Sequence, residues 1–201
     1  MLNLRSAEKE LRAAFFAVSD QLGISKEKIM FFVNRDVIRS IEKDRERMEE
    51  PLKRLKWYLQ VSFPNYKVSC RIKSLTSIFG KYMQERTLLD TFGFKIIIPS
   101  AQFESEEKAI EECYRVKNWV EENFKILDDE FDDRIKNPKS SGYKDLKMVV
   151  ECQELMVEFI IQTETMYENA KSGSQSHKEA YPWKYHPAIT SLPKKYKEKE
   201  I

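Results

Sequence analysis

Four runs suited to strands, Lys67–Lys73, Gly93–Pro99, Leu146–Glu151 and Leu155–Thr163, alternate with runs whose spacing predicts helices over Leu75–Arg86, Ser105–Asn123 and Glu164–Glu179. That alternation is the strongest constraint on the fold. Strands that are each followed by a helix must bury both elements against one another, which implies an α+β arrangement with a mixed sheet flanked by helices. Before the first strand the chain reads as helical. Leu4, Leu11, Phe15, Phe16, Val18 and Leu22 form an apolar stripe ended by Gly23, a second helix is expected over Lys26–Glu49, and Pro51 is expected to open a third toward Phe63. The expected organisation is therefore a helical region over 1–64, a core over 65–180 and an aromatic and basic tail over 181–201. Residues Leu192 to Ile201 are expected to form a mobile basic end.

Composition narrows the function classes. The 35 basic and 33 acidic residues nearly cancel, so no global field draws the chain to nucleic acid, and any such contact must come from a local patch. The run Glu42 to Glu50 alternates in sign and reads as a solvated helix face. Cys70, Cys113 and Cys152 lack metal-ligand spacing, and with two histidines, His177 and His186, a structural zinc site is not expected; a reducing, cytoplasmic setting is. Charge appears too early at the N-terminus for a signal peptide, and no apolar run is long enough to span a bilayer.

Two stretches carry chemistry. In the segment 134–147, Gly142 allows a turn that a β-carbon would obstruct, Tyr143 offers a flat face to a base, and Lys139 offers a point charge to phosphate. A turn with solvated lysines and one anchoring tyrosine accounts for the same residues. On the first strand, Arg71 and Lys73 alternate and are expected to face one ligand, while Ser77 and Lys81 share a face of the following helix. A basic strand edge that resists aggregation is the plainer account. Glu158 stands among Met156, Val157, Phe159, Ile160 and Ile161, where an ionised carboxylate calls for a metal or an arginine unless the strand's alternation carries it to a solvent face.

Taken together these stretches resemble the RelA/SpoT-type synthetase domain, the enzymes that make (p)ppGpp, from about residue 65 to about residue 180. The matching segments, in family order, are Arg71-Ile72-Lys73-Ser74-Leu75-Thr76-Ser77-Ile78-Phe79-Gly80-Lys81, Asp90-Thr91-Phe92-Gly93-Phe94-Lys95, Glu130-Phe131-Asp132-Asp133, the 134–147 loop, and Val157-Glu158-Phe159-Ile160-Ile161-Gln162-Thr163. Met166, Ala170, Gly173 and His177 recur in the helix after them. The resemblance implies a nucleotidyltransferase-like fold and a small single-domain alarmone synthetase, since 201 residues leave no room for the hydrolase and regulatory domains of long relatives. It implies transfer of the β,γ-pyrophosphate of ATP to the 3′-hydroxyl of GDP or GTP. Arg71, Lys73, Ser77, Lys81 and Lys95 would bind ATP, and Asp90 and Glu158 would hold Mg2+. Glu158 would also serve as base, and Lys139, Ser141, Tyr143 and Lys147 would bind the acceptor. Glu130, Asp132 and Asp133 resemble the acidic motif of synthesis-only members, with a solvated acidic turn as the alternative. His177 is left outside the catalytic set.

Several positions depart from the family pattern. Lys95 stands where arginine is usual, Ile160 replaces a glutamine, Gln162 an arginine, Ser141 an asparagine and Lys147 a histidine. The changes at Ile160 and Gln162 are expected to remove polar grip from the active face, and the donor half of the site is the better preserved. The alternatives that stay open are a toxic synthetase acting on the 3′ end of tRNA or making adenosine alarmones, and a catalytically silent nucleotide-binding regulator. The sequence also leaves open an antitoxin partner and a homo-oligomer.

Overall fold

A computed structural model describes residues 2–172 and 181–201. The chain divides into two compact units. One, here the helical unit, takes in residues 1–51, 72–88 and 177–199; the other, the sheet unit, takes in 52–71, 89–176 and 200–201.

The helical unit begins with α1 (Leu4–Ala17) and the single turn α2 (Ser19–Leu22), which ends at Gly23 with φ +64°. The sequence suggested one continuous helix here; the turn breaks at Val18, whose amide bonds back to Phe15. Helix α3 (Lys26–Phe32), capped by Ser25, is short because Asn34 intervenes. The Asn34 side chain accepts from the amides of Asp36 and Val37, each at 3.0 Å, and so starts a new helix, α4 (Arg35–Ser62). The expected start at Pro51 is thus corrected: α4 runs through it for 28 residues. A proline inside a helix forfeits one backbone bond, but Met48, Leu52, Leu55 and Leu59 are all buried along one face of α4 and hold it on either side.

Within the helical unit, α1 and α3 pack with α5 (Leu75–Met83), whose start is capped by Ser74 accepting from the Ser77 amide at 3.1 Å. Phe15 meets the Phe79 ring at 6.4 Å and the Trp183 ring at 6.3 Å, between centroids. Near the C-terminus the chain forms a 3-10 turn over Pro182–Tyr185, a short α8 (Pro187–Thr190) and a second such turn over Lys194–Tyr196. The expectation of a mobile end is corrected here. Leu192 and Tyr196 are buried in the core of this unit, so burial of two large side chains outweighs the solvation of the surrounding lysines.

The sheet has six strands in the order β3-β4-β5-β2-β1-β6. They are β1 (Lys67–Ile72), β2 (Phe92–Ile98), β3 (Asp132–Asp133), β4 (Leu146–Cys152), β5 (Leu155–Thr163) and β6 (Lys199–Glu200). Strands β2 and β5 are parallel, β4 is antiparallel to β5, and β3 antiparallel to β4, which makes the sheet mixed as expected. The two-residue strands β3 and β6 are too short to show a period in the sequence. The central strands are buried on both faces, which is why β2 reads as a nearly continuous apolar run. On one face, Phe94 and Phe159 stack at 5.3 Å and Phe124 joins them at 5.7 Å. Helix α6 (Glu106–Asn123), capped by Ser105, buries Ala109, Cys113, Val116 and Val120. The last helix of this unit, α7, is described over Glu164–Ser172, so the expected extension to Glu179, with Gly173 and His177, lies outside the described residues. No helix among the described residues is long and apolar enough to cross a membrane.

Gly80 of α5 lies under the Trp183 indole, and a β-carbon there would come within 2.7 Å of Cζ2. The indole is buried and wedged against Phe15, so it has little freedom to retreat. Gly80→Ala is therefore expected to destabilise the protein by about 1–3 kcal/mol in a urea titration; an unchanged midpoint would contradict this packing.

Candidate functional site

The face of the sheet opposite the Phe94–Phe159 stack is set by strand register. Residues directly across from one another share a face, and β5 places Glu158 opposite Gly93 on β2 and Val149 on β4. Two residues further along, Ile160 lies between Lys95 and Lys147. Asp132 pairs in turn with Lys147. One face therefore carries Glu158, Lys95, Lys147 and Asp132 in neighbouring rows.

Glu158 is only 7% exposed, so the solvent-face alternative for this residue is ruled out. Its counter-charge comes from β1: Arg71 Nη2 lies 3.8 Å from Glu158 Oε2. Strand β2 lies between β1 and β5, and the two side chains meet across it beside Gly93. A β-carbon at position 93 would stand 3.5 Å from the Glu158 carbonyl and 3.8 Å from Arg71 Nε, so a methyl fits and anything larger would enter the ion pair's space. Asp90 sits in the turn just before β2, half-buried, with Oδ1 turned away from solvent. These two carboxylates, from a strand and from the approach to the adjacent strand, fit magnesium, which is usually held by one or two protein carboxylates together with substrate phosphates. Larger groups of metal-ligating side chains are absent among the described residues.

The remaining donor residues are distributed differently from expectation. Lys73 lies one residue beyond the end of β1 at Ile72, so strand alternation no longer relates it to Arg71. Lys73, Ser77 and Lys81 belong to the helical unit, whereas Arg71, Asp90, Lys95 and Glu158 belong to the sheet unit. Lys73 is buried, and Ser77 accepts a hydrogen bond from the Ser74 hydroxyl at 2.9 Å. Lys95 places its ammonium 4.9 Å from the centre of the Tyr167 ring on α7.

The loop before β4 is tied down at several points. The Gly142 amide donates to the Lys139 carbonyl at 2.7 Å and the Lys139 amide to the Tyr143 carbonyl at 3.2 Å, closing a tight turn in which Gly142 has φ +78°. The Lys139 ammonium stands 5.5 Å from the centre of the Tyr143 ring. The Tyr143 hydroxyl bonds to Asp145; burial first, then the Asp145 charge, pushes the phenol well above its ordinary value. Asp145 is fully buried, and Arg134 Nη1 reaches its two oxygens at 3.2 and 3.3 Å. Burial raises the Asp145 pKa, against the lowering influence of Arg134 and Tyr143. The other arm of Arg134 contacts Asp132 Oδ2 at 2.5 Å, and Lys147 bridges Glu130 at 3.3 Å and Asp132 at 3.4 Å. Asp133 instead bonds to the Tyr114 hydroxyl and the Lys136 amide. Burial opposes its ionisation, but these hydrogen bonds keep its pKa below the usual range. The segment 130–133 is thus a wired element and not the solvated turn that was the alternative.

Gln162 also differs from expectation. Its position in the strand suggested lost polar grip, yet its Nε2 donates to the Lys144 carbonyl at 2.9 Å and so anchors the loop to β5. Sequence reasoning missed Arg134, Asp145 and Gln162 as loop supports, because an arginine and an aspartate eleven residues apart carry no local signal of pairing. Between this loop and α7 a cleft of about 270 Å3 opens, lined by Ser141, Gly142, Tyr143 and Lys144 on one side, Thr165, Met166, Asn169 and Ala170 on another, and Glu106 and Ile110 of α6. Two of the residues expected around an acceptor, Ser141 and Tyr143, meet there with the turn glycine between them. Lys139 is adjacent through its contact with the Tyr143 ring, and Lys147 is held in its acidic pair.

Removing Arg134 should expose the electrostatics of this loop. Arg134→Met leaves a buried carboxylate without its cation and is expected to cost about 3–5 kcal/mol at neutral pH. Asp145 already binds its proton more tightly in the folded than in the unfolded chain, so its contribution to stability falls as pH rises above the unfolded carboxylate value toward the raised folded one. Losing Arg134 strengthens that trend, and the deficit of the variant should shrink on acidification. A deficit independent of pH would refute the pairing as the cause.

Comparison with known proteins adds to this geometry. Residues 70–186 match the family described as "Region found in RelA / SpoT proteins". The chain is 27% identical over 212 residues to the GTP pyrophosphokinase of Haemophilus influenzae, covering 96% of this chain and 27% of that protein. It is 31% identical over 144 residues to the GTP pyrophosphokinase of Escherichia coli K12, covering 71% of this chain and 18% of that protein. It thus spans about a quarter or less of the length of these relatives. A GTP pyrophosphokinase family protein from Streptococcus pneumoniae is similar in fold, with a TM-score of 0.55, 19% identity, and coverage of 70% of this chain and 78% of that one.

Proposed function

We propose, from the premise that this chain belongs to the RelA/SpoT family, that it is a pyrophosphokinase that moves the β,γ-pyrophosphate of ATP to the 3′-hydroxyl of GDP or GTP. The observation that carries the reading is Glu158, a carboxylate buried in mid-sheet, with Arg71 Nη2 at 3.8 Å and Gly93 beside it on the neighbouring strand. A structural acid has no need of such a position. A base that must meet a hydroxyl in a water-poor site does.

In this reading the acceptor's base lies in the cleft against Tyr143, with Ser141 beside it and Lys139 turned to its phosphates. Arg71 takes up donor phosphate, and Lys73, Ser77 and Lys81 of the helical unit keep the ATP-binding role that their motif implies; Lys95 adds a further cation. Asp90 and Glu158 would hold Mg2+, which when bound would neutralise charge on the phosphates. Glu158 receives the proton of the 3′-hydroxyl as that oxygen bonds to the β-phosphorus, the bond from the β-phosphorus to the α,β-bridging oxygen breaks, and AMP departs with that oxygen. Lys147, bridged to Glu130 and Asp132, holds β3 and β4 together beside the loop.

The test is incubation with γ-labelled ATP and Mg2+ against GDP, GTP, AMP, ATP and bulk tRNA. Label on GDP or GTP is expected. Label on tRNA or an adenine nucleotide alone would replace the acceptor, and label on none would favour a silent binder. Asp90→Asn and Glu158→Gln are each expected to abolish transfer, a loss of several kcal/mol in transition-state stabilisation on the order seen for essential electrostatic groups, while apo melting changes little; near-parental turnover in either would refute the assignment.

The two nucleotide sites should separate in calorimetry. Arg71→Ala is expected to weaken ATP binding, whereas Tyr143→Ala should leave ATP nearly untouched and weaken GDP by about 1–3 kcal/mol, the worth of one stacked base. Equal losses of ATP affinity in both variants would merge the sites.

A further inference from the structure

Among the cleft's residues, Glu106 has no role in the reading so far. It occupies the first turn of α6 behind the Ser105 cap, where an acid would ordinarily serve only the helix dipole. The structure gives it a more specific setting. Thr163, fully buried at the end of β5, donates its hydroxyl to Glu106 Oε1 at 2.5 Å and accepts from the Met166 amide at 3.2 Å. One carboxylate oxygen is thereby fixed by the junction of β5 and α7, and among the described residues Oε2 takes no hydrogen bond from the protein. Glu106 lines the same cleft as Tyr143.

At about 270 Å3 the cleft is smaller than those that enclose drug-sized ligands, roughly 300–1,000 Å3, and suits a base with its sugar and phosphates outside. An aromatic face selects for a planar ring without regard to which base it is. A carboxylate at the ring's edge does discriminate. Guanine presents two adjacent donors, N1–H and the N2 amino group, which a carboxylate can accept together. Hypoxanthine presents N1–H without the amino group. Adenine turns the lone pair of N1 toward the carboxylate and is repelled.

We propose that Glu106 reads the base edge of the acceptor and selects guanine, with Thr163 as its positioning residue. The inference rests on the reading of this cleft as the acceptor site. It explains how a chain with Ser141 and Lys147 in its acceptor segment can still specify a guanine nucleotide: the selecting group comes from α6, outside the loop.

The experiment is calorimetric binding of GDP, IDP and ADP to the intact protein with Mg2+ and a saturating non-transferable ATP analogue, which keeps ADP out of the donor site. The parent protein is expected to bind in the order GDP, IDP, ADP. In Glu106→Gln the preference for GDP over ADP should fall by about 5- to 150-fold, the range of one bidentate base contact, because the amide offers one acceptor and one donor. Thr163→Val, which removes the anchor and leaves the carboxylate, should lose part of the same preference, and Thr163→Ser should restore it. Tyr143→Ala is the control on the cleft and should weaken all three nucleotides alike. If Tyr143→Ala weakens all three while Glu106→Gln keeps the parental order, the cleft reading stands and the role of Glu106 is overturned. If the parent shows no base preference, the role of Glu106 is overturned while the cleft reading is judged by Tyr143→Ala alone; if Tyr143→Ala has no effect, the cleft reading falls and the role of Glu106 falls with it.

Discussion

The pairing of Arg71 with Glu158 over Gly93 is the contact around which the sheet unit's chemistry is arranged. A carboxylate on a central strand is costly unless a cation meets it, and the only route for that cation from β1 is across β2. Gly93 lies beside that route, with Arg71 Nε 3.8 Å from where its β-carbon would stand. Parallel register between β2 and β5 then fixes where everything else lies. Lys95 and Lys147 fall on either side of Ile160, one row further along, and Asp132 closes the row from β3. Because the pair is partly exposed on the arginine side, it serves position more than stability.

The second organising contact is Arg134, which joins the buried Asp145 to Asp132. Through it the loop before β4, β3 and the start of β4 become one electrostatic element, to which Lys147 adds Glu130. Tyr143 is fastened by its hydroxyl to Asp145, and the Lys144 carbonyl by Gln162. A loop held at both the ring and the backbone offers a preformed face to a ligand, and ordering it on binding costs less than ordering a free turn would. The glutamine at 162 supplies one of these ties. The family's polar residues are absent there, but the loop is held by a neutral amide in place of a charge.

The opposite face of the sheet provides the rigidity. Phe94, Phe159 and Phe124 pack together, and α6 covers its own share of the sheet with Ala109, Cys113, Val116 and Val120. The same helix brings Glu106 to the cleft, so packing on the sheet and the cleft's lining are linked through a single element. The helical unit is built separately around Phe15, Phe79, Trp183 and Tyr196, with the C-terminal residues as part of its core.

Much of this was legible in the residues alone. Strand and helix periodicity located β1, β2, β4, β5, α5 and α6 to within a few residues, since each buries a regular face, and the order of motifs identified the family. The turn before Tyr143 could be read because the glycine that makes it is a local signal. What the sequence could not supply was pairing at a distance. Nothing local marks Arg71 as the partner of Glu158, Arg134 as the partner of Asp145, or Thr163 as the anchor of Glu106, because each depends on strand register. The continuation of α4 through Pro51 and the burial of Tyr196 were likewise hidden. Local propensity argues for a break and for a solvated end, and only the apolar surface found in three dimensions outweighs it. The sequence determined the elements and their chemistry; the tertiary structure decided the partners, because an ion pair or a buried ring is stabilised by neighbours that the chain brings together only on folding.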